Sequence, residues 1–461
     1  MRERFKNAAL NVIIVLLVAL TLFQTGQLWL GTSSNHNFFD LFEQFGSWRA
    51  DGEGNEARFA SPYRIVSGLS DGEVKIKYSQ LYGSEIKTVG DRIVTEFLRN
   101  GEFITRQAFD LRETVSSGAF LIYDYAFAMP ASLFIRCFNQ RGGALNTHTT
   151  AFDYIVMAAN GEPGTLTLYF VENETGEAGV YSVTAQNNLA DSFISAVTNA
   201  ANEAGSANYA LPETGAIPAP DMFIPRIPPF GYGFNPALVV NAYAPNGQAA
   251  LYTVEREIDQ FFSNPIAKSS NNVAGVFTYS DASVVVKYYK NHVLEYLNFK
   301  SANKSDRGVP ADFSAALFFI DRDTHIINEY YLAGFTEDGS KRTFYFDYVL
   351  DDFKIVIPDA LRIGGELGTD HAIEITVEAE NVTAYKKIAY GFLTDADSLE
   401  FADLDFHSLY QNVIEPYYAY LDDIRIQGVD LSYKLEKSPA IYLSWFIRIN
   451  DVNLINPAQR R

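Results

Sequence analysis

Residues able to do chemistry are spread thinly along this chain, and each grouping has a structural explanation beside it. Gly68-Leu69-Ser70-Asp71-Gly72 spells G-x-S-x-G, the nucleophile elbow of hydrolases, which needs a strand, a sharp turn and then a helix. The text that follows, EVKIKYSQLY, is strand-like, so the match reads as a hairpin turn. Asp321-Arg322-Asp323-Thr324-His325 and Asp403-Leu404-Asp405-Phe406-His407 both spell D-x-D-x-H, a donor set suited to a divalent cation. Both sit at element boundaries, where aspartate serves as a turn or cap residue. The six histidines show no HExxH and no i, i+4 pair. No phosphate loop, dinucleotide fingerprint or Cys/His nucleophile arrangement occurs. Two carboxylates facing each other in space would suffice for a glycosidase and leave no local signature. The expectation is therefore a chain that is not an enzyme and holds no metal or cofactor. Cys137, in the apolar run ASLFIRCFN, is the single cysteine and is expected to be a buried thiol.

The elements around these residues point to the cell envelope. The 461 residues suffice for about three domains. A net charge of −20 repels phosphate backbones and, with no basic stripe, argues against nucleic acid. Arg2, Arg4 and Lys6 precede an apolar stretch from Ala8 to Leu30, which as a helix would rise about 34 Å against a hydrocarbon core of about 30 Å. After Lys6 the next basic residue is Arg49, so the N-terminus is expected in the cytoplasm and the bulk of the chain outside. The stretch lacks a small-x-small cleavage site and reads as a retained single-pass signal anchor in the cell membrane. Thr21, Gln24 and Thr25 share one face of that helix and are candidate contacts to another membrane helix.

Beyond the anchor, the expected fold class is α+β: extracytoplasmic, multi-domain, with mostly antiparallel sheets and flanking helices. The boundaries are a cytoplasmic tail over 1–7, the anchor over 8–30, an α+β domain over 31–211, a Pro-rich connector over 212–236, a central α+β domain over 237–324 and a C-terminal α+β domain over 325–461. Seven of the 17 prolines fall in the connector, where they block helix and sheet interiors. Its first residues complete Leu211-Pro212-Glu213-Thr214-Gly215, which resembles a sortase sorting signal. A sorting signal works near a C-terminus ahead of an apolar stretch, so here the five letters read as the start of the connector. Helices are expected in GDRIVTEFLRNG, closed by Gly101, and in NLADSFISAVTNAANEAG, TVEREIDQFFSN, PADFSAALFFID and LDFHSLYQNVIEPYYAYLDDI. AFLIYDYAFAMP, FDYIVMAAN, TLTLYFVEN and GVYSVTA read as strands, hairpins are expected about TEDGSKR and ENV, and AIYLSWFIRIN reads as a closing strand. Aromatic residues, 14% of the chain, are expected mainly in the core.

QFFSNPIAKSSNNVAGVFTYSDASVVVKYYKNHVLEYLNF (260–299) resembles the central region of YycH proteins, and FLIYDYAFAMPASLF (120–134) is similar to their strand-Pro-Ser-Leu segment. The C-terminal stretch, with YYLAGFTEDGSKRTFYFDYVLDDFKIVI and IEITVEAENVTAYKK, looks like the related YycI module. It departs from the family's phrasing at Phe346-Asp347-Tyr348, where an Arg-containing phrase is expected. The resemblance implies a membrane-anchored regulator in a Gram-positive bacterium. Such a protein associates with a YycI-like protein and tunes a WalK-like sensor histidine kinase, part of a two-component system governing cell-wall metabolism. It makes Thr21, Gln24 and Thr25 candidates for the kinase contact. An alternative reading is an envelope sensor that binds a ligand in aromatic-lined grooves.

Overall fold

The computed structural model describes residues 59, 61–69, 74–78, 84–140, 143–159, 164–184, 188–202, 208–210, 224–225, 232–234, 237–241, 254–255, 258–300, 305–323, 329–350, 353–357, 371–394, 400–403, 411, 415–418, 426–435, 440–449, 452–457 and 459–460. The chain divides into two compact units, 1–55 and 56–461, and every described residue belongs to the second. The anchor expected over 8–30, with Thr21, Gln24 and Thr25, lies outside the described residues. Among those described, no helix is long and apolar enough to cross a membrane.

Strands β1 (Arg64–Gly68) and β2 (Val74–Tyr78) form the hairpin expected around G-x-S-x-G, with Gly68 opposite Val74. A strand, not a helix, follows Ser70, so no nucleophile elbow is built. Helix α1 (Glu85–Asn100) begins where Ser84 caps the Lys87 N–H, and it buries Ile86, Val89, Ile93, Val94 and Phe97 along one stripe. Gly101 closes it through its N–H to the Phe97 carbonyl, in extended conformation. Glycine is needed there because any Cβ would collide with the Phe97 ring, not because of a left-handed turn.

Then come β3 (Glu102–Ala108), α2 (Leu111–Ser116), β4 (Ala119–Pro130), α3 (Ala131–Cys137) and α4 (Leu145–His148). The antiparallel strands β5 (Ala151–Ala159), β6 (Thr165–Glu172) and β7 (Glu177–Thr184) follow, and α5 (Leu189–Ala201) packs on α1. With β8 (Asn208–Ala210) and β9 (Ile224–Pro225), the sheet order is β3-β7-β6-β5-β4-β1-β2-β8-β9. Cys137 is buried in α3. Aromatic rings fill this core: Phe134, Phe152, Phe170 and Tyr181 meet in succession edge to face at 4.9–5.4 Å.

The second half opens with β10 (Tyr232–Phe234), β11 (Ala237–Asn241) and four antiparallel strands: β12 (Ser269–Val273), β13 (Val276–Ser280), β14 (Val284–Tyr288) and β15 (Val293–Asn298). Helix α6 (Val309–Asp321) crosses the sheet face, starting with Pro310 in its first turn. The hairpin of β16 (Glu329–Asp338) and β17 (Lys341–Leu350) turns at Gly339, inside TEDGSKR. Next come β18 (Phe353–Val356), β19 (Ile373–Glu378), β20 (Asn381–Ile388), β21 (Tyr390–Thr394), β22 (Glu400–Asp403), α7 (Glu415–Tyr418), β23 (Ile426–Lys434), β24 (Ala440–Ile449), β25 (Val452–Pro457) and β26 (Gln459–Arg460).

One sheet runs β12-β13-β14-β15-β20-β19-β17-β18-β23-β24-β11-β21, and it draws strands from both the 237–324 and 325–461 stretches. Val293 to Leu297 pair with Ile388 to Ala384 at that junction, and β11 lies between β24 and β21. Among the described residues β18 and β23 form the one parallel pair. The architecture is thus α+β and dominated by antiparallel sheets. A separate three-stranded sheet runs β10-β22-β26. The two large sheets meet where Phe59 packs on Phe313, Tyr330 and Phe346, Tyr63 stacks on Tyr331, and Arg64 bridges Asp124 and Asp430.

Candidate functional site

The ionisable groups that the pleat turns inward are tied up in fixed pairs. Asp347, fully buried, receives the Lys354 ammonium at 2.7 Å, His371 Nδ1 at 3.1 Å, the Tyr331 hydroxyl at 3.4 Å and the Ala372 N–H at 3.3 Å. Burial alone would raise this carboxyl, but Lys354 and His371 outweigh it and hold Asp347 far below the usual carboxylate range. The node ties β16, β17 and β18 to the residues entering β19, so the departure at Phe346-Asp347-Tyr348 carries a structural role. Arg342 on β17 is a second node, donating to Glu337 at 2.8 Å, to Asp306 at 2.7 Å and to the fully buried Asp312 at 2.7 Å. Its guanidinium draws the Asp306 carboxyl down to about 2.

The D-x-D-x-H stretches do not assemble a site among the described residues. Asp323 is buried against Lys387 Nζ at 2.5 Å and the Tyr385 hydroxyl at 3.0 Å, so a lysine already supplies its positive charge. Asp321 accepts from the Tyr330 hydroxyl at 3.4 Å. His325 and residues 404–407 lie outside the described residues. No group of three or more His, Cys, Asp or Glu is arranged for a metal among the described residues.

Two surfaces differ from this closed pattern. The first is a pocket of about 200 Å³ between the 3-10 turn Asp259–Phe261, the ends of β14 and β15, and the C-terminal end of α6. Phe261, Tyr296 and Phe319 form one wall, with ring centroids 5.0–5.8 Å apart. Lys300 and Arg322 also line it, and neither has an ion-pair partner; the Arg322 guanidinium reaches only the Gln260 carbonyl, at 3.5 Å. The Gln260 side-chain NH2, buried in the same wall, has no hydrogen-bond partner. Burial pushes the Tyr296 hydroxyl up to about 12, so it stays protonated and able to donate. The sequence offers no local signal for these residues. They are too far apart in the chain, from 260 to 322, for any local spacing to flag them.

The second surface is the outer side of the same strands. Thr278, Lys287, Glu295, Lys386, Glu374 and Tyr345 stand directly opposite one another across six strands, on the side of the sheet away from α6. The sign of charge alternates along the row, and Glu295 holds Lys287 at 3.0 Å and the Tyr289 hydroxyl at 2.9 Å. The edge strand β12 is exposed along its whole length. Val273, at the end of β12, places a large apolar side chain in solvent there.

No family model matches the sequence, and no curated protein matches it. The solved structure of YycH from Bacillus subtilis superposes with a TM-score of 0.56, covering 87% of this chain and 96% of YycH at 12% identity. The fold is YycH-like. Coverage on both sides means that the YycH-like fold embraces both sheets, not one of them. The C-terminal domain of YpeB from Bacillus megaterium also matches, at a TM-score of 0.24 and 7% identity over 46% of this chain, too loosely to support any comparison.

Proposed function

We propose that this chain is a membrane-anchored, non-catalytic regulator that modulates a sensor histidine kinase of WalK type by protein-protein contact. The observation that carries the reading is the YycH-like fold, spanning 87% of the chain. The apolar stretch from Ala8 to Leu30 is its anchor, with the N-terminus in the cytoplasm and the sheets outside. Thr21, Gln24 and Thr25 form the helix face that meets the kinase, each hydrogen bond contributing about 0.6–2 kcal/mol in the bilayer. A YycI-like protein is its second partner, and the charged outer row and exposed β12 edge are the surfaces on offer to it.

The test is crosslinking in native membranes followed by identification of the captured proteins. A histidine kinase is expected among them, and its absence refutes the regulator reading. Changing Thr21, Gln24 and Thr25 together to Leu should weaken co-purification with the kinase while the anchor still inserts. Undiminished co-purification removes that helix face from the contact.

A further inference from the structure

We propose that the pocket beside the end of α6 binds a small acid, a single six-membered ring carrying a carboxylate. Size sets the first limit. A dry cavity of about 150 Å³ accommodates benzene, so 200 Å³ suits one ring and one small substituent.

Charge sets the second. In a chain with a net charge of −20, the exposed Lys300 and Arg322 line one cavity, and among the described residues no carboxylate is in contact with either. Asp281 acts electrostatically on Lys300, and one of its oxygens accepts the Ser283 and Val284 N–H groups at 2.7 Å. Glu255 and Asp259, on the neighbouring turn, are taken by Lys268. The C-terminal end of α6 contributes roughly −0.5 charge, which would repel an anion facing a single cation; two full positive charges outweigh it. The Arg322 fork suits a planar carboxylate, and the protonated Tyr296 hydroxyl is a further donor. Phe261, Tyr296 and Phe319 offer an apolar wall to the ring itself. The kinase reading is not used in this argument.

The probe is 4-fluorobenzoate, followed by fluorine NMR against the purified full-length chain in mild detergent. Saturable binding in the millimolar range or tighter is expected, displaced by unlabelled benzoate and not by benzyl alcohol or inorganic phosphate. Glucuronate is the second acid: displacement by it at lower concentration than benzoate assigns a sugar acid, and the reverse order an aromatic acid. Lys300→Met and Arg322→Met, both solvent-exposed and so compatible with folding, should each weaken binding about tenfold, as the loss of one charge-assisted hydrogen bond does. Lys341→Met, the same charge change on the distant β16–β17 turn, should leave it unaltered. No saturable binding, equal displacement by benzyl alcohol or phosphate, or indifference to both pocket variants overturns the proposal. A chain that binds the acid yet never captures a kinase retains the pocket and loses the regulator role, and the converse result does the opposite.

Discussion

Changing Arg342 to methionine isolates what a buried carboxylate costs when its cation is withdrawn. Two of the three partners of Arg342, Asp306 and Glu337, are 44% exposed and screened by water, so their loss matters little. Asp312 is different: fully buried in the first turn of α6, it would retain only the Glu380 N–H at 2.6 Å. Removing one member of a buried pair costs about 3–5 kcal/mol, and the positive end of the helix returns at most ~1 kcal/mol of that. A loss of about 3–4 kcal/mol is therefore expected for Arg342→Met, read as a lower urea midpoint in equilibrium unfolding of the full chain. Arg342→Met combined with Asp312→Leu should lie within about 1.5 kcal/mol of the parent, because exchanging a whole buried pair for apolar groups is close to neutral. A single variant as stable as the parent, or a double variant as damaged as the sum of its parts, refutes the assignment of the cost to Asp312.

Gly90→Ala should destabilise the first sheet by about 1–3 kcal/mol, since the new methyl collides with the Tyr123 hydroxyl and Leu121, and Tyr123→Phe should relieve part of that in thermal unfolding. That relief stays partial because the hydroxyl also bonds the Lys87 carbonyl at 2.9 Å and Asp91 at 3.0 Å. Asp347, held below its usual range by Lys354 and His371, contributes stability that is complete above the unfolded value of about 3.9 and lost as pH falls toward its lower folded value. Urea midpoints should therefore drop more steeply below about pH 4 in the parent than in Asp347→Asn; parallel profiles would discard the node.

Elements with a local cause were legible in the sequence, and those assembled at a distance were not. Gly101 closes α1 as expected because a cap acts within one turn, and Gly339 marks the β16–β17 turn for the same reason, but α1 starts at Glu85 behind the Ser84 cap, ahead of the GDRIVTEFLRNG stretch. The β19–β20 hairpin was also legible, though its turn uses Ala379 and Glu380 at positive φ without a glycine. Strand β12, SSNNV, escaped notice because an edge exposed on every residue carries no alternation. The helix expected around TVEREIDQFFSN ends in a 3-10 turn at Asp259–Phe261, with Pro265 opening another. The pairing of β15 with β20 and the convergence of Gln260, Tyr296, Lys300 and Arg322 depend on chain reversals that hydropathy does not encode.

The position of β11 between β21 and β24 has a consequence for biogenesis. Ala237 waits for Ile441, and at ~5–20 residues per second of synthesis those about 200 intervening residues take roughly 10–40 s to emerge. Until β21 is made β11 presents two open edges, and the edge that receives β24 stays open for the whole interval, a template for wrong partners. The first sheet needs nothing beyond Pro225 and can close early. Folding of this chain thus has a built-in order, with one half finished and the other exposed, and the interval between them is when a chaperone would matter most.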